Sequence, residues 1–167
     1  MSWIVLGGYM GAGKSAVGRR LSSRLNLTFV DADREVESHA GMAIPEIFSK
    51  RGELWFRRTE EDVIREILGR EPAGIVALGG GALESAKTRS LVGRTARLTW
   101  LRVSPEVAWE RVTGSNRPLA TDRDRFIRRA IEREPNYREV AAFSVDADAS
   151  VEDVVLRVSD WIRRGEG

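Results

Sequence analysis

The segment Gly8-Tyr9-Met10-Gly11-Ala12-Gly13-Lys14-Ser15 constrains this chain more than any other. It satisfies G-x-x-x-x-G-K-[ST] in full, between a short apolar run, Trp3-Ile4-Val5-Leu6, and an amphipathic stretch, Ser15 to Leu25. A strand, a glycine turn and a helix in that order aim successive backbone N–H groups and the positive end of a helix at one point. That makes a seat for phosphate. Lys14 is expected to reach the β- and γ-phosphates of a nucleoside triphosphate, and Ser15 to offer its hydroxyl to Mg²⁺. The backbone of Gly11, Ala12, Gly13, Lys14, Ser15 and Ala16 forms the cradle. The chain is expected to bind ATP or GTP; the phosphoryl acceptor does not follow from this motif.

The remaining pattern alternates strand and helix. Thr28-Phe29-Val30, Gly74 to Leu78, Thr95 to Val103 and Phe143-Ser144-Val145 read as further strands. Helices are expected at Ile44 to Lys50, at Glu53 to Leu68, from Ser104-Pro105 onward, at Asp124 to Arg133 with a break at Pro135, and from Ser150. Serine before proline starts a helix well, and Ser150 with Asp153 forms a capping-box arrangement. Such alternation predicts parallel βαβ units, a sheet covered on both faces, and a ligand crevice at the carboxyl ends of the strands.

Composition narrows the function classes. Apolar residues make up 42% and charged residues 31% of 167, which fits one globular domain spanning 1–167. No apolar run is long enough to cross a membrane. The N-terminus lacks a secretion pattern, so the expected location is cytoplasmic. With no cysteine, disulfides and thiolate chemistry are excluded. A formal net charge of +2 argues against a polycation. The arginines at 125, 128, 129 and 133 alternate with acids and read as a solvated helix face, so no nucleic-acid partner is expected.

Three further segments fall where strands end. Asp31 and Asp33 follow the second strand; beside a phosphate loop, one suits Mg²⁺ and the other the attacking hydroxyl, although Asp33 also suits the cap of a helix beginning at Arg34. Glu53-Leu54-Trp55-Phe56-Arg57-Arg58 puts two arginines on an apolar helix, where one can face inward and the other solvent. Gly79-Gly80-Gly81 carries an entropy cost that makes sense where backbone approaches a ligand closely. Finally, Arg117 lies in a polar Gly/Ser/Asn/Pro loop from which a guanidinium could close over phosphates.

Taken in order, Gly-x-x-x-x-Gly-Lys-Ser, Asp31-x-Asp33, Gly52-Glu53-x-x-Phe56-Arg57, Gly79-Gly80-Gly81-Ala82, Arg117-Pro118-Leu119 and Tyr137-Arg138 resemble the shikimate kinases across nearly the whole chain. The resemblance implies a P-loop kinase fold: a five-stranded parallel sheet flanked by helices, in three α/β/α layers. It implies substrate-binding helices around 33–62, a lid around 112–124, and a monomer. It also implies transfer of the ATP γ-phosphoryl group to the 3-hydroxyl of shikimate, with Mg²⁺ accompanying ATP as co-substrate. Lys14, Asp33 and Arg117 would be catalytic, and Arg57 and Arg138 would clamp the shikimate carboxylate beside Gly79, Gly80 and Gly81. Arg111 would lie against adenine, with Arg117 over the nucleotide; Ser15 and Asp31 would serve the metal. Two departures are Ala77, where the family often has a hydroxyl residue, and the lid wording Thr-Gly-Ser-Asn-Arg-Pro-Leu. The alternatives are a gluconate or nucleoside monophosphate kinase, and a nucleotide-binding module without catalysis.

Overall fold

A computed structural model describes residues 2–113 and 122–165. Its elements run β1 (Trp3–Gly7), α1 (Lys14–Leu25), β2 (Phe29–Asp31), α2 (Ala32–Ala40), α3 (Ile44–Arg51), α4 (Glu53–Leu68) and β3 (Ile75–Ala77). A 3-10 turn (Ala82–Glu84) follows, then α5 (Ala86–Thr95), β4 (Ala96–Arg102), α6 (Pro105–Thr113), α7 (Arg123–Val140), β5 (Ala141–Asp146) and α8 (Val151–Arg164). The strands form one parallel sheet in the order β2-β3-β1-β4-β5.

β1 is central because it is apolar on both sides. Successive side chains of a strand point to opposite faces. Trp3 and Val5 therefore join the cluster of α2, α3, α4 and α5, with Ile47, Ile64, Val92 and Tyr137. Ile4 and Leu6 join Val17 and Leu21 of α1 and Val154 and Val158 of α8 on the other face. Leu6 and Val5 are fully buried; burying a side chain of that size contributes about 2 kcal/mol. A third cluster joins Tyr9 of the glycine turn to Ala108, Val112 and Phe126, so the phosphate loop packs against α6 and α7.

Two elements depart from expectation. The helix after β2 starts at Ala32, and its cap is Asp31, whose Oδ1 accepts from the Asp33 amide at 3.2 Å. Asp33 is thereby released from capping. Secondly, α7 runs unbroken through Pro135. Proline removes one intrahelical hydrogen bond, to the carbonyl of residue 131. Ile131 and Pro135 both lie on the exposed side, where water can satisfy that carbonyl. Tyr137 then holds the last turns in place by stacking on Trp100 with ring centroids 5.9 Å apart.

Candidate active site

The glycine turn after β1 has the shape its motif demands. Gly11 and Gly13 take φ of 86° and 84°, a region that costs any other residue strain, and Gly13 leads directly into α1. A Cβ on Gly11 would stand 2.7 Å from the Ala108 carbonyl oxygen, so α6 closes against the loop. Lys14 folds over the turn and donates from Nζ to the carbonyls of Gly8 (2.7 Å) and Tyr9 (3.1 Å). Arg111 on α6 donates from Nη1 to the carbonyls of Ala147 (2.8 Å) and Gly11 (3.2 Å). It thereby ties the phosphate loop to the β5–α8 connection.

Ser15 and Asp31 meet: the Ser15 hydroxyl donates to Asp31 Oδ2 at 2.7 Å. One hydroxyl and one carboxylate beside a phosphate seat form a hard oxygen set of the kind Mg²⁺ takes when it keeps waters and phosphate oxygens as its other ligands. Among the described residues no group of three His, Cys, Asp or Glu side chains offers an all-protein cage.

Across the crevice, two carboxylates converge on Gly79. A Cβ placed there would lie 2.6 Å from Asp33 Oδ1 and 2.7 Å from Glu60 Oε1. Only glycine leaves both room. Burial pushes the Asp33 carboxyl above its ordinary value; Lys14 opposes that shift and Asp31 adds to it. Burial likewise pushes Glu60 up against the pull of Arg57, with Asp33 adding to the rise. Glu60 is 3% exposed, and its Oε1 has no hydrogen-bond partner among the described residues.

The guanidinium groups lie at the other end of the glycine strip. Arg57 Nη1 donates to Glu60 Oε2 at 2.7 Å, and a Cβ on Gly81 would stand 2.6 Å from Arg57 Nη2. The neighbouring Arg58 faces solvent, as one turn of helix geometry requires. Glu84, at the end of the 3-10 turn, accepts from Arg133 Nε and Nη2 at 3.0 Å each. Its Oε2 is also 3.8 Å from Arg57 Nη2. Burial opposes the Glu84 charge, but the hydrogen bonds and charges of Arg133 and Arg57 prevail and hold its carboxyl below the ordinary value. Between the two arginines, the Gly80 carbonyl accepts from the Tyr137 hydroxyl at 2.6 Å. Buried as it is, that hydroxyl cannot ionise easily, and its pKa is pushed well above the ordinary value.

These contacts form a polar crevice at the carboxyl ends of β1, β2 and β3. A model of the family described as "Shikimate kinase" matches residues 10–163. The shikimate kinase of Nitrobacter winogradskyi is 44% identical to this chain, over 98% of it and 79% of that protein. The chain belongs to the shikimate kinase family. A solved structure described as shikimate kinase from Acinetobacter baumannii in complex with shikimate superposes with a TM-score of 0.90, at 33% identity, over 99% of this chain and 95% of that one. A gluconokinase from Sinorhizobium meliloti also shares the fold, with a TM-score of 0.67 at 19% identity, over 99% of this chain and 93% of that one. Fold alone thus spans different acceptors.

The shikimate kinase motifs assemble unevenly. Gly11, Ala12, Gly13, Lys14, Ser15, Ala16 and Arg111 surround the phosphate seat; Asp31, Asp33, Arg57, Gly79, Gly80 and Gly81 line the crevice. Arg138 stands apart. Its side chain is 72% exposed and pairs with Glu134 at 2.6 Å, one turn back along α7. Arg133, expected on a solvated face, is instead 7% exposed and turned onto Glu84 and the Tyr9 ring. Arg117 lies outside the described residues. The motifs also leave out Glu60, Glu84 and Arg133. A signal for Arg133 was available: Phe126, Ala130, Arg133 and Tyr137 recur at spacings of four and three, the mark of one helix face.

Proposed function

We propose that this chain transfers the γ-phosphoryl group of ATP to the 3-hydroxyl of shikimate, giving shikimate 3-phosphate and ADP. One observation carries the choice of acceptor. Asp33 packs on Gly79 and Arg57 on Gly81. A carboxylate and a guanidinium therefore flank one short strip of backbone, at most about 7 Å apart along the chain. A small ring acid with hydroxyls at one end and a carboxylate at the other fits that spacing.

In this reading Arg57 takes the acceptor's carboxylate, joined by Arg138 once the exposed arginine swings in. Asp33 accepts the proton from the 3-hydroxyl as its oxygen attacks the γ-phosphorus, and the bond from that phosphorus to the ADP oxygen breaks. A carboxyl raised by burial is a better base for this than a solvated one. Lys14 leaves the loop carbonyls for the phosphates and offsets their charge. Ser15 and Asp31 would hold Mg²⁺, which when bound neutralises phosphate charge. Arg111 lies along adenine. Helices around 33–62 bind acceptor, and the lid around 112–124 brings Arg117 over the phosphates and excludes water. The family resemblance adds a monomer and a cytoplasmic setting; among the described residues no helix is long and apolar enough to cross a membrane. Phosphorus-31 NMR of a reaction with shikimate tests the assignment. A single ester at the 3-position supports it; an ester at another hydroxyl, or none, removes it.

A further inference from the structure

Helix α6 is opened by Ser104, whose carbonyl accepts from the Ala108 amide at 2.9 Å and whose hydroxyl accepts from the Val107 amide at 3.4 Å. In a capping box the third helical residue returns the bond by accepting from the cap residue's own amide. Here that residue is Val107, which has no acceptor to offer. Asp148 supplies the bond from the β5–α8 connection: its Oδ1 accepts from the Ser104 amide at 2.8 Å. Among the described residues this is the only hydrogen bond of that carboxylate, and no cation pairs with it.

The connection carrying Asp148 is itself held. The Ala147 amide donates to the Arg102 carbonyl at 2.7 Å, and the Asp148 amide donates to Asp146 Oδ1 at 3.0 Å. Asp148 therefore reaches α6 from settled backbone.

Further along, α6 is tied to the same connection a second time. Arg111 donates to the carbonyls of Ala147 and Gly11, and its Nη2 approaches the Asp148 carbonyl at 3.5 Å. The plane of the guanidinium is set by these acceptors, which belong to two separate segments. Its orientation holds only while α6, the phosphate loop and the connection keep their spacing. Arg111 is otherwise exposed, and a guanidinium plane is a surface on which a flat base stacks.

We propose that Asp148 is a positioning residue for the nucleotide base. By fixing the start of α6 to the β5–α8 connection, its carboxylate holds Arg111 in the plane on which adenine lies. The inference rests on the function proposed above, which puts Arg111 along adenine, and adds to it a side chain that does not itself touch nucleotide.

The test compares wild type, Asp148→Ala and Asp148→Asn by calorimetric titration with ADP and with inorganic tripolyphosphate, and by steady-state kinetics. Asp148→Ala loses one hydrogen bond and should weaken ADP binding and raise the KM for ATP about fivefold. Binding of tripolyphosphate, which has no base, should stay within about twofold of wild type, as should kcat and the KM for shikimate. Asp148→Asn keeps the accepting oxygen and should recover most of the loss. Should the Ala variant not fold, Asp148→Glu, whose longer side chain displaces that oxygen, takes its place with the same expectation. In an Arg111→Ala background, Asp148→Ala should cost nothing further. Unchanged ADP affinity in Asp148→Ala would overturn the proposal, as would an equal loss toward tripolyphosphate. So would a lower Tm with ADP affinity unmoved, which marks a merely structural tie. Wild type that binds ADP but does not phosphorylate shikimate would remove the proposed acceptor alone, because the Asp148 result is a ratio of variant to wild type for nucleotide.

Discussion

Asp33 and Glu60 reach the same point of the crevice from different helices: both lie within 2.7 Å of where a Gly79 side chain would begin. Neither is paired with the other, both are pushed up by burial, and the charge of Asp33 raises Glu60 further. Two acids crowded against bare backbone are unfavourable for the empty protein. They make sense where an acceptor's hydroxyls come between them.

Gly79→Ala tests that crowding directly. The added methyl must displace Asp33 or Glu60, and displacing a reacting group by about 1 Å costs on the order of 100-fold in rate. We expect kcat/KM for the acceptor to fall on that scale while the KM for ATP holds. Gly69→Ala, whose Cβ meets nothing nearer than 3.5 Å, serves as control and should behave as wild type. Equal activity of the two variants would mean that Gly79 does not face the acceptor.

Glu60→Gln should separate stability from function. Burial holds the Glu60 carboxyl above its ordinary value of 4.5, so ionising it costs more in the folded chain than in the unfolded one. That penalty is absent below pH 4.5 and grows as pH rises through the window above it. The neutral variant should therefore be more stable at neutral pH, by on the order of 1 kcal/mol, and the Tm difference should shrink on acidification. Acceptor KM should rise because Arg57 loses its hydrogen-bonded anion. A Tm advantage that grew toward acid pH would reverse the sign and contradict the burial argument.

The crevice was only partly legible in the sequence. The phosphate loop, its strand and its helix are consecutive, so local spacing was enough to predict them. The apolar runs of β1, β3 and β4 stood out because these strands are buried on both faces. Glu60 and Glu84 were opaque for the opposite reason. Arg133 and Glu84 are 49 residues apart and meet only after α7 packs beside the 3-10 turn. Arg133 had only its place on the helix face of Phe126, Ala130 and Tyr137 to mark it among the neighbouring arginines and glutamates. Pro135 misled in the same way, since its exposed side decides whether a helix survives it. Either aspartate suited the cap of the helix after β2, so the sequence left that choice open; Asp31 takes it, and Asp33 lies against Gly79.

Asp33→Asn keeps the shape of the side chain and removes its basicity. Turnover should fall by about 100-fold or more, while nucleotide affinity, measured by titration with ADP, stays near wild type. A matching loss of nucleotide affinity would place Asp33 in the phosphate site instead.

Arg57→Ala leaves Glu60 buried without its cation and an acceptor carboxylate without a donor. Acceptor binding should weaken by about 2–5 kcal/mol, with a much smaller change for ATP. Unchanged acceptor kinetics would exclude Arg57 from the clamp.

The most direct measurement follows ADP release in a coupled assay with Mg²⁺-ATP, offering shikimate, gluconate, quinate and a nucleoside monophosphate separately. The account predicts turnover with shikimate and kcat/KM at least about 100-fold lower for each of the others. Turnover with gluconate or the nucleotide, and none with shikimate, would contradict it.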